Sequence, residues 1–167
     1  DIGPVHVDFR HSTLDVQDST LSGAVAAGAV DTQKLTKIVA SANLGVVGVS
    51  AGYGKTGTNG GLVAFDTDAD ANFSGWGLEL NGLTDAKAFF VSANANVTDK
   101  VNVAATYLDA SGDVTDANWD ADEWYLTATY NMSSNFSAYV RYGEVSTDSN
   151  DLDTDANFSG WGLELNG

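Results

Sequence analysis

The chain alternates between apolar and polar positions with a period of two along most of its length. The longest example runs from Asp122 to Val145. Trp124, Leu126, Ala128 and Tyr130 fall on one face of the first arm, with Tyr125, Thr127, Thr129 and Asn131 on the other. The second arm sets Phe136, Ala138, Val140 and Tyr142 against Ser137, Tyr139, Arg141 and Gly143. Successive side chains point to opposite sides of a strand, so this pattern predicts two long antiparallel strands joined by the polar turn Met132-Ser133-Ser134-Asn135. The apolar face has aromatic residues at both ends, Trp124 and Tyr142 at the open end and Tyr130 and Phe136 at the turn. Amphipathic rings settle at the two interfaces of a bilayer, and this is the signature of a membrane-spanning strand.

The same period predicts further strands: residues 5–10, with Val5, Val7 and Phe9 against His6, Asp8 and Arg10; residues 33–43; residues 46–54, after a tight turn at Asn43-Leu44-Gly45; residues 86–95; and residues 101–110. Val49, Ala105, Leu126 and Val140 fall on the apolar face. Residues 11–32 are less regular. Long loops are expected at 55–85, at 110–122 and after Val145, and short turns after Asn43, Val97 and Met132. Short turns at one end and long loops at the other is the layout of an outer-membrane barrel, and Tyr53, Tyr107 and Tyr142 all precede long loops. The expected fold is all-β: an antiparallel up-and-down transmembrane barrel, or a portion of a larger one, as one domain over residues 1–167.

The run YNMSSNFSAYVRYGEV, residues 130–145, resembles the strand–turn–strand near the end of Gram-negative porins. The resemblance is best over residues 86–145 and weaker over residues 1–54. It implies an outer-membrane location and passive diffusion of small hydrophilic solutes and ions. On that reading Lys37, Asn94, Thr106, Thr127, Tyr139 and Arg141, all at inward positions, line the pore. A wide aqueous channel takes about 16 strands. This chain offers seven or eight clear ones, ten at most, and ends Leu165-Asn166-Gly167 where porins end on an aromatic strand, so it reads as a portion of a longer chain or as a small barrel with another task.

Composition narrows the function classes. The 167 residues carry 23 acids against 7 bases, a net charge of −16, which excludes a nucleic-acid partner because phosphate binding needs clustered Lys and Arg. The acids cluster at expected loops, where they would attract cations. There is no cysteine, hence no disulfide or thiolate metal site. No run of about 18 apolar residues marks a transmembrane helix, and a mean hydropathy of −0.11 is compatible with a barrel whose lipid face takes every second residue. No signal peptide is present, and Asp1 reads as the start of a processed or excised chain.

One segment departs from ordinary repetition. Residues 68–82, DADANFSGWGLELNG, recur at 153–167 with one change, Ala69 against Thr154. A strand in the first copy would spoil the alternation of short and long connections. The first copy is therefore expected as a loop excursion folded towards the lumen or over the rim, and the second as a final strand from Phe158 to Leu165 paired with the strand before it. The acids Asp68, Asp70, Asp153 and Asp155 have the spacing of a calcium loop, but its sixth position, where glycine makes the sharp turn, holds Phe73 or Phe158. They form at most a looser calcium site, and no other cofactor is indicated. No nucleophile elbow or other catalytic motif is present, so an enzyme is not expected. The expected partners are the lipid bilayer, small hydrophilic solutes or cations, and further copies of the chain. The alternative is a secreted or cell-surface β-sandwich that self-assembles or binds a partner through acidic, calcium-binding loops.

Overall fold

The structure, a computed structural model, describes residues 4–15, 32–58, 73–78, 80, 83–114, 117–149 and 152–165. They form eight strands: β1 (Val5–Asp15), β2 (Thr32–Leu44), β3 (Val47–Thr56), β4 (Lys87–Asn96), β5 (Val101–Val114), β6 (Ala117–Ser133), β7 (Phe136–Ser149) and β8 (Leu152–Leu165). Each strand pairs antiparallel with the next in sequence order, giving one up-and-down sheet with β1 and β8 at its two ends. The sheet is open, and among the described residues there is no second sheet to make a sandwich.

The connections at one end are short. At the β2–β3 turn Gly45 has φ +76°, a conformation that glycine adopts without steric cost. At the other end the expected long loops after Ala110 and Val145 are corrected. Both stretches continue as paired strand, through Val114↔Ala117 in one hairpin and Ser149↔Leu152 in the next. The alternation of ends survives, but the length is taken up by hairpins that run on beyond the apolar band. Asp120 and Asp122 accordingly lie on β6 and not in a loop. The irregular LSGAVAAGAV falls outside the described residues.

The two faces are those that the period of two dictates. On the outer face Val49, Ala93, Ala105 and Leu126 lie on neighbouring strands in one cross-strand row, and Leu126 and Val140 are 52% and 59% exposed. This is the expected apolar belt. Its aromatic border slopes. Phe9, Tyr53 and Phe89 share one row across β1 to β4, through Ile38. Tyr107 and Trp124 sit one row nearer the short turns, paired with Val91 and with each other, and Tyr142, opposite Leu126, one row nearer again. From Phe89 to Tyr142 the border descends two rows, roughly 13 Å, over three strand spacings, roughly 14 Å. That slope matches the ~45° tilt at which strands cross a membrane. Phe89 and Tyr107 (6.1 Å between centroids) and Trp124 and Tyr142 (5.8 Å) meet along it. Tyr130, near the opposite end of the hairpin, is also exposed on this face.

The buried core is on the other face. Leu35, Ala88, Leu108 and Ala110 from the sheet close around Phe73, Leu80 and Ala86 from the β3–β4 connection. The second copy of the repeated segment lies in β8, paired with β7 as expected, but the strand begins at Leu152 and not at Phe158, with pairs from Phe136↔Leu165 to Ser149↔Leu152.

Candidate functional site

The inner face is defined by the segment that lies on it. Residues 73–78 and 80, within the first copy of the repeat, form a tight excursion closed by bonds from Leu80 N to Phe73 O (2.9 Å) and from Gly75 N to Leu78 O (2.7 Å). Its base is tied to β3, where Thr56 N donates to Ala86 O at 2.8 Å and Ala86 N donates to Thr56 Oγ1 at 2.8 Å. Phe73 is buried above Gly54, where any Cβ would strike the ring at 2.7 Å, and it meets Phe90 at 5.6 Å. Burial of Phe73 and Leu80, about 1.5–3 kcal/mol for each side chain, holds the excursion to the wall.

The tip is held by one carboxylate. Glu123, on β6, is fully buried. Its Oε1 accepts from Gly77 N at 2.7 Å and Trp76 N at 3.0 Å, and its Oε2 accepts from Trp76 N and Leu78 N at 3.1 Å. Three successive backbone N–H groups thus converge on one anion, the arrangement that binds anions in a backbone nest. Gly75 makes room for it, since a Cβ there would overlap Glu123 Oε2.

Beside the tip stands Arg141 of β7. Its Nε donates to Thr127 Oγ1 at 2.9 Å. Its guanidinium lies over the rings of Trp76 (4.8 Å), Tyr125 (5.0 Å) and Tyr139 (5.7 Å). Trp76 turns its edge to Phe158 of β8 at 4.4 Å. The excursion, the wall and the last strand therefore meet around one cation.

All six residues expected to line a pore are at positions on this inner face, and three of them, Thr127, Tyr139 and Arg141, come together. Thr106 is one strand away, its hydroxyl 2.9 Å from Ser92 Oγ, and Asn94 lies over Gly48. Lys37 is on the same face but buried, beside the Leu35 side of the core. Of the acids with calcium-loop spacing, Asp68 and Asp70 lie outside the described residues, as does the side chain of Asp153, while Asp155 is exposed on β8. Among the described residues no three His, Asp or Glu side chains gather as a metal site. Glu123 and Trp76 are the residues that the sequence reading missed. The available signal is an acid at an inward position of a strand whose next inward residues are Tyr125, Thr127 and Thr129, and a glycine-rich FSGWG with bare N–H groups to offer it.

Comparison with known proteins agrees with this geometry. Three solved structures of OmpT of Vibrio cholerae resemble the fold. The outer-membrane-expressed form is 20% identical with a TM-score of 0.58, the in-vitro folded form 21% identical with 0.59, and its trimer form 21% identical with 0.58. Each alignment covers 80% of this chain and 41% of the other, so the chain spans about two fifths of the length of these structures. No curated protein matches it. Residues 3–150 match the family described as Gram-negative porin. An open eight-stranded wall with an apolar, aromatic-bordered outside and a loop laid on its polar inside is a porin wall, and the chain belongs to the Gram-negative porin family, proteins of the outer membrane.

Proposed function

We propose that this chain forms part of the wall of a water-filled channel through which small hydrophilic solutes and ions diffuse passively, with no chemical step. The observation that carries the reading is the contrast of faces: an exposed apolar belt outside, and inside a row of polar groups narrowed by the 73–80 excursion. Lys37, Asn94, Thr106, Thr127, Tyr139 and Arg141 are the wall residues assigned to the lumen, where Arg141 is stacked on Trp76 of the excursion. The eight strands supply one arc of a single barrel domain that further strands close. The −16 charge raises the cation concentration at the mouth, and cations are the favoured ions. The trimer form among the OmpT structures supports assembly with further copies of the chain.

The test is conductance of the purified protein in a planar bilayer. Discrete, ohmic current steps are expected, together with swelling of vesicles loaded with an impermeant sugar and diluted into small sugars. Folded, membrane-inserted protein that gives neither would overturn the proposal.

A further inference from the structure

Arg141 is enclosed by rings. Tyr139 is the preceding inward residue of β7, and Tyr125 stands two residues along β6 from Thr127, which pairs with Arg141. Trp76 comes from the excursion. The guanidinium carbon is 4.8, 5.0 and 5.7 Å from the centroids of Trp76, Tyr125 and Tyr139, all within the ~6 Å over which a ring face attracts a cation. Three ring faces around one guanidinium form an aromatic cage, the arrangement by which proteins recognise weakly hydrated organic cations. The sheet leaves room for it: the neighbouring inward positions are Gly143, Gly160 and Gly162, where a Cβ would crowd Tyr125, Trp76 and Tyr139 respectively. Glu123, through its bonds to the N–H groups of Trp76, Gly77 and Leu78, fixes the backbone that carries the third ring.

Arg141 itself is fastened there by little else. Its Nε donates to Thr127 Oγ1 at 2.9 Å, and among the described residues no carboxylate pairs with it. Glu123, the inward acid on β6, is four residues, roughly 13 Å, along the strand from Thr127 and is engaged by the excursion. Arg141, Tyr125 and Tyr139 are half-buried and Trp76 is exposed, so the cage opens on the inner face. The side chain that fills it hangs on a long stem with many rotamers, free to swing away.

We propose that Trp76, Tyr125 and Tyr139 form a binding site for guanidinium-type organic cations, and that Arg141 is its resident competitor, displaced when such a solute enters. The proposal rests on the reading of the inner face as a water-filled lumen. Exchange of one guanidinium for another conserves the cation–π contacts, and the Thr127 hydroxyl is left to accept from the solute. A planar guanidinium loses less hydration on stacking than a compact ammonium of the same charge, so the rings favour the former. The tether sets the affinity. A group on a short flexible stem acts at an effective concentration on the order of millimolar, and a free solute must reach about that concentration to displace it. Weak binding suits a channel, where a solute must leave as readily as it enters. The surplus of 23 acids over 7 bases enriches cations and works against an anion settling on Arg141.

Saturation-transfer NMR on the folded, detergent-solubilised protein reads binding without conductance, so a failure here is separable from a failure of the channel reading. The probes are methylguanidinium and methylammonium, which carry the same charge. Methylguanidinium should bind saturably at about millimolar concentration, and methylammonium more weakly. R141A, or R141Q should the first fail to fold, empties the cage. It should tighten methylguanidinium about tenfold, the factor for a cage vacant roughly a tenth of the time in the wild type, and change methylammonium less. Trp76→Ala and Tyr139→Ala should each weaken methylguanidinium, with Arg141 present or replaced. Absence of saturable methylguanidinium binding, equal binding of the two cations, no tightening in a folded Arg141 variant, or indifference to both ring substitutions would overturn the proposal. So would saturable binding of benzoate that is lost in R141A, which would make the guanidinium a receptor for anions.

Discussion

The rings of Trp76 and Phe158 meet edge to face, 4.4 Å between centroids at 77°, although they belong to two copies of one sequence. Phe158 is the counterpart of Phe73, and Trp76 the counterpart of Trp161. In the first copy the tryptophan lies on the inner face under Arg141. In the second it stands on the outer face, 78% exposed. One copy rests on the other across the lumen side of the sheet, and this contact is the natural place to test how the wall and the excursion depend on each other.

Replacing Glu123 with alanine should release the tip. Three part-buried hydrogen bonds, from the N–H groups of Trp76, Gly77 and Leu78, would be lost, at about 0.5–1.5 kcal/mol each. The expected readouts are faster proteolysis between residues 73 and 80 and a larger, noisier single-channel conductance, with the apolar belt intact. Conductance and proteolysis identical to wild type would show that Phe73 and Leu80 hold the excursion alone.

Trp76→Ala should have a smaller effect in the same direction. It removes one cation–π partner of Arg141 and the edge contact with Phe158, together about 1–2 kcal/mol. Arg141 keeps Thr127, Tyr125 and Tyr139. The change should therefore appear in conductance and ion preference more than in thermal stability, measured on the same sample.

Val140→Arg tests the belt. Val140 is exposed in mid-strand on the outer face, and an arginine at the bilayer midplane costs about 2–4 kcal/mol. Reversible folding into lipid vesicles should report a loss of that size. A loss below about 1 kcal/mol would place this position near an interface or in a protein contact.

Ion preference can be read from the reversal potential under a salt gradient. The acidic surplus predicts a cation-selective sign, reduced at high salt, where charges separated by more than a Debye length no longer act together. An anion-selective sign would mean that Arg141, on the inner face, outweighs the acidic surplus.

Deleting residues 153–167 removes all of β8 but Leu152 and leaves the β7 edge unpaired from Phe136 to Asp148. Loss of the folded, heat-modifiable species on gels is expected. A fully folded and fully assembled protein after the deletion would show that β8 has no structural role.

The alternation of side chains was enough to assign faces, because a period of two leaves each strand residue only one of two sides. The rows through Val49, Ala105 and Leu126, and the placing of Arg141, Thr127 and Tyr139 inside, were legible for that reason. The aromatic ends of the hairpin likewise announced a bilayer. The ends of the strands were not legible: Asp120 and Asp122 look like loop residues, yet pairing with β5 and β7 keeps them extended beyond the belt. Nor was the partner of Glu123, since nothing local ties residue 123 to residues 76–78.

The repeated segment divides the two kinds of information most sharply. Its sequence permits a glycine-hinged strand with tryptophan and leucines on one face, and β8 adopts it. The first copy has the same residues and does otherwise. β3 arrives at the long-connection end at Thr56, and β4 departs from that same end at Lys87. A single strand inserted between them would finish at the wrong end of the sheet. The chain must therefore leave the wall and return, and the apolar residues of the excursion find burial against Leu35 and Leu108 while its bare N–H groups find Glu123. Identical local preference was resolved in opposite ways because chain direction and a buried carboxylate, neither of them written within the segment, differ between its two locations.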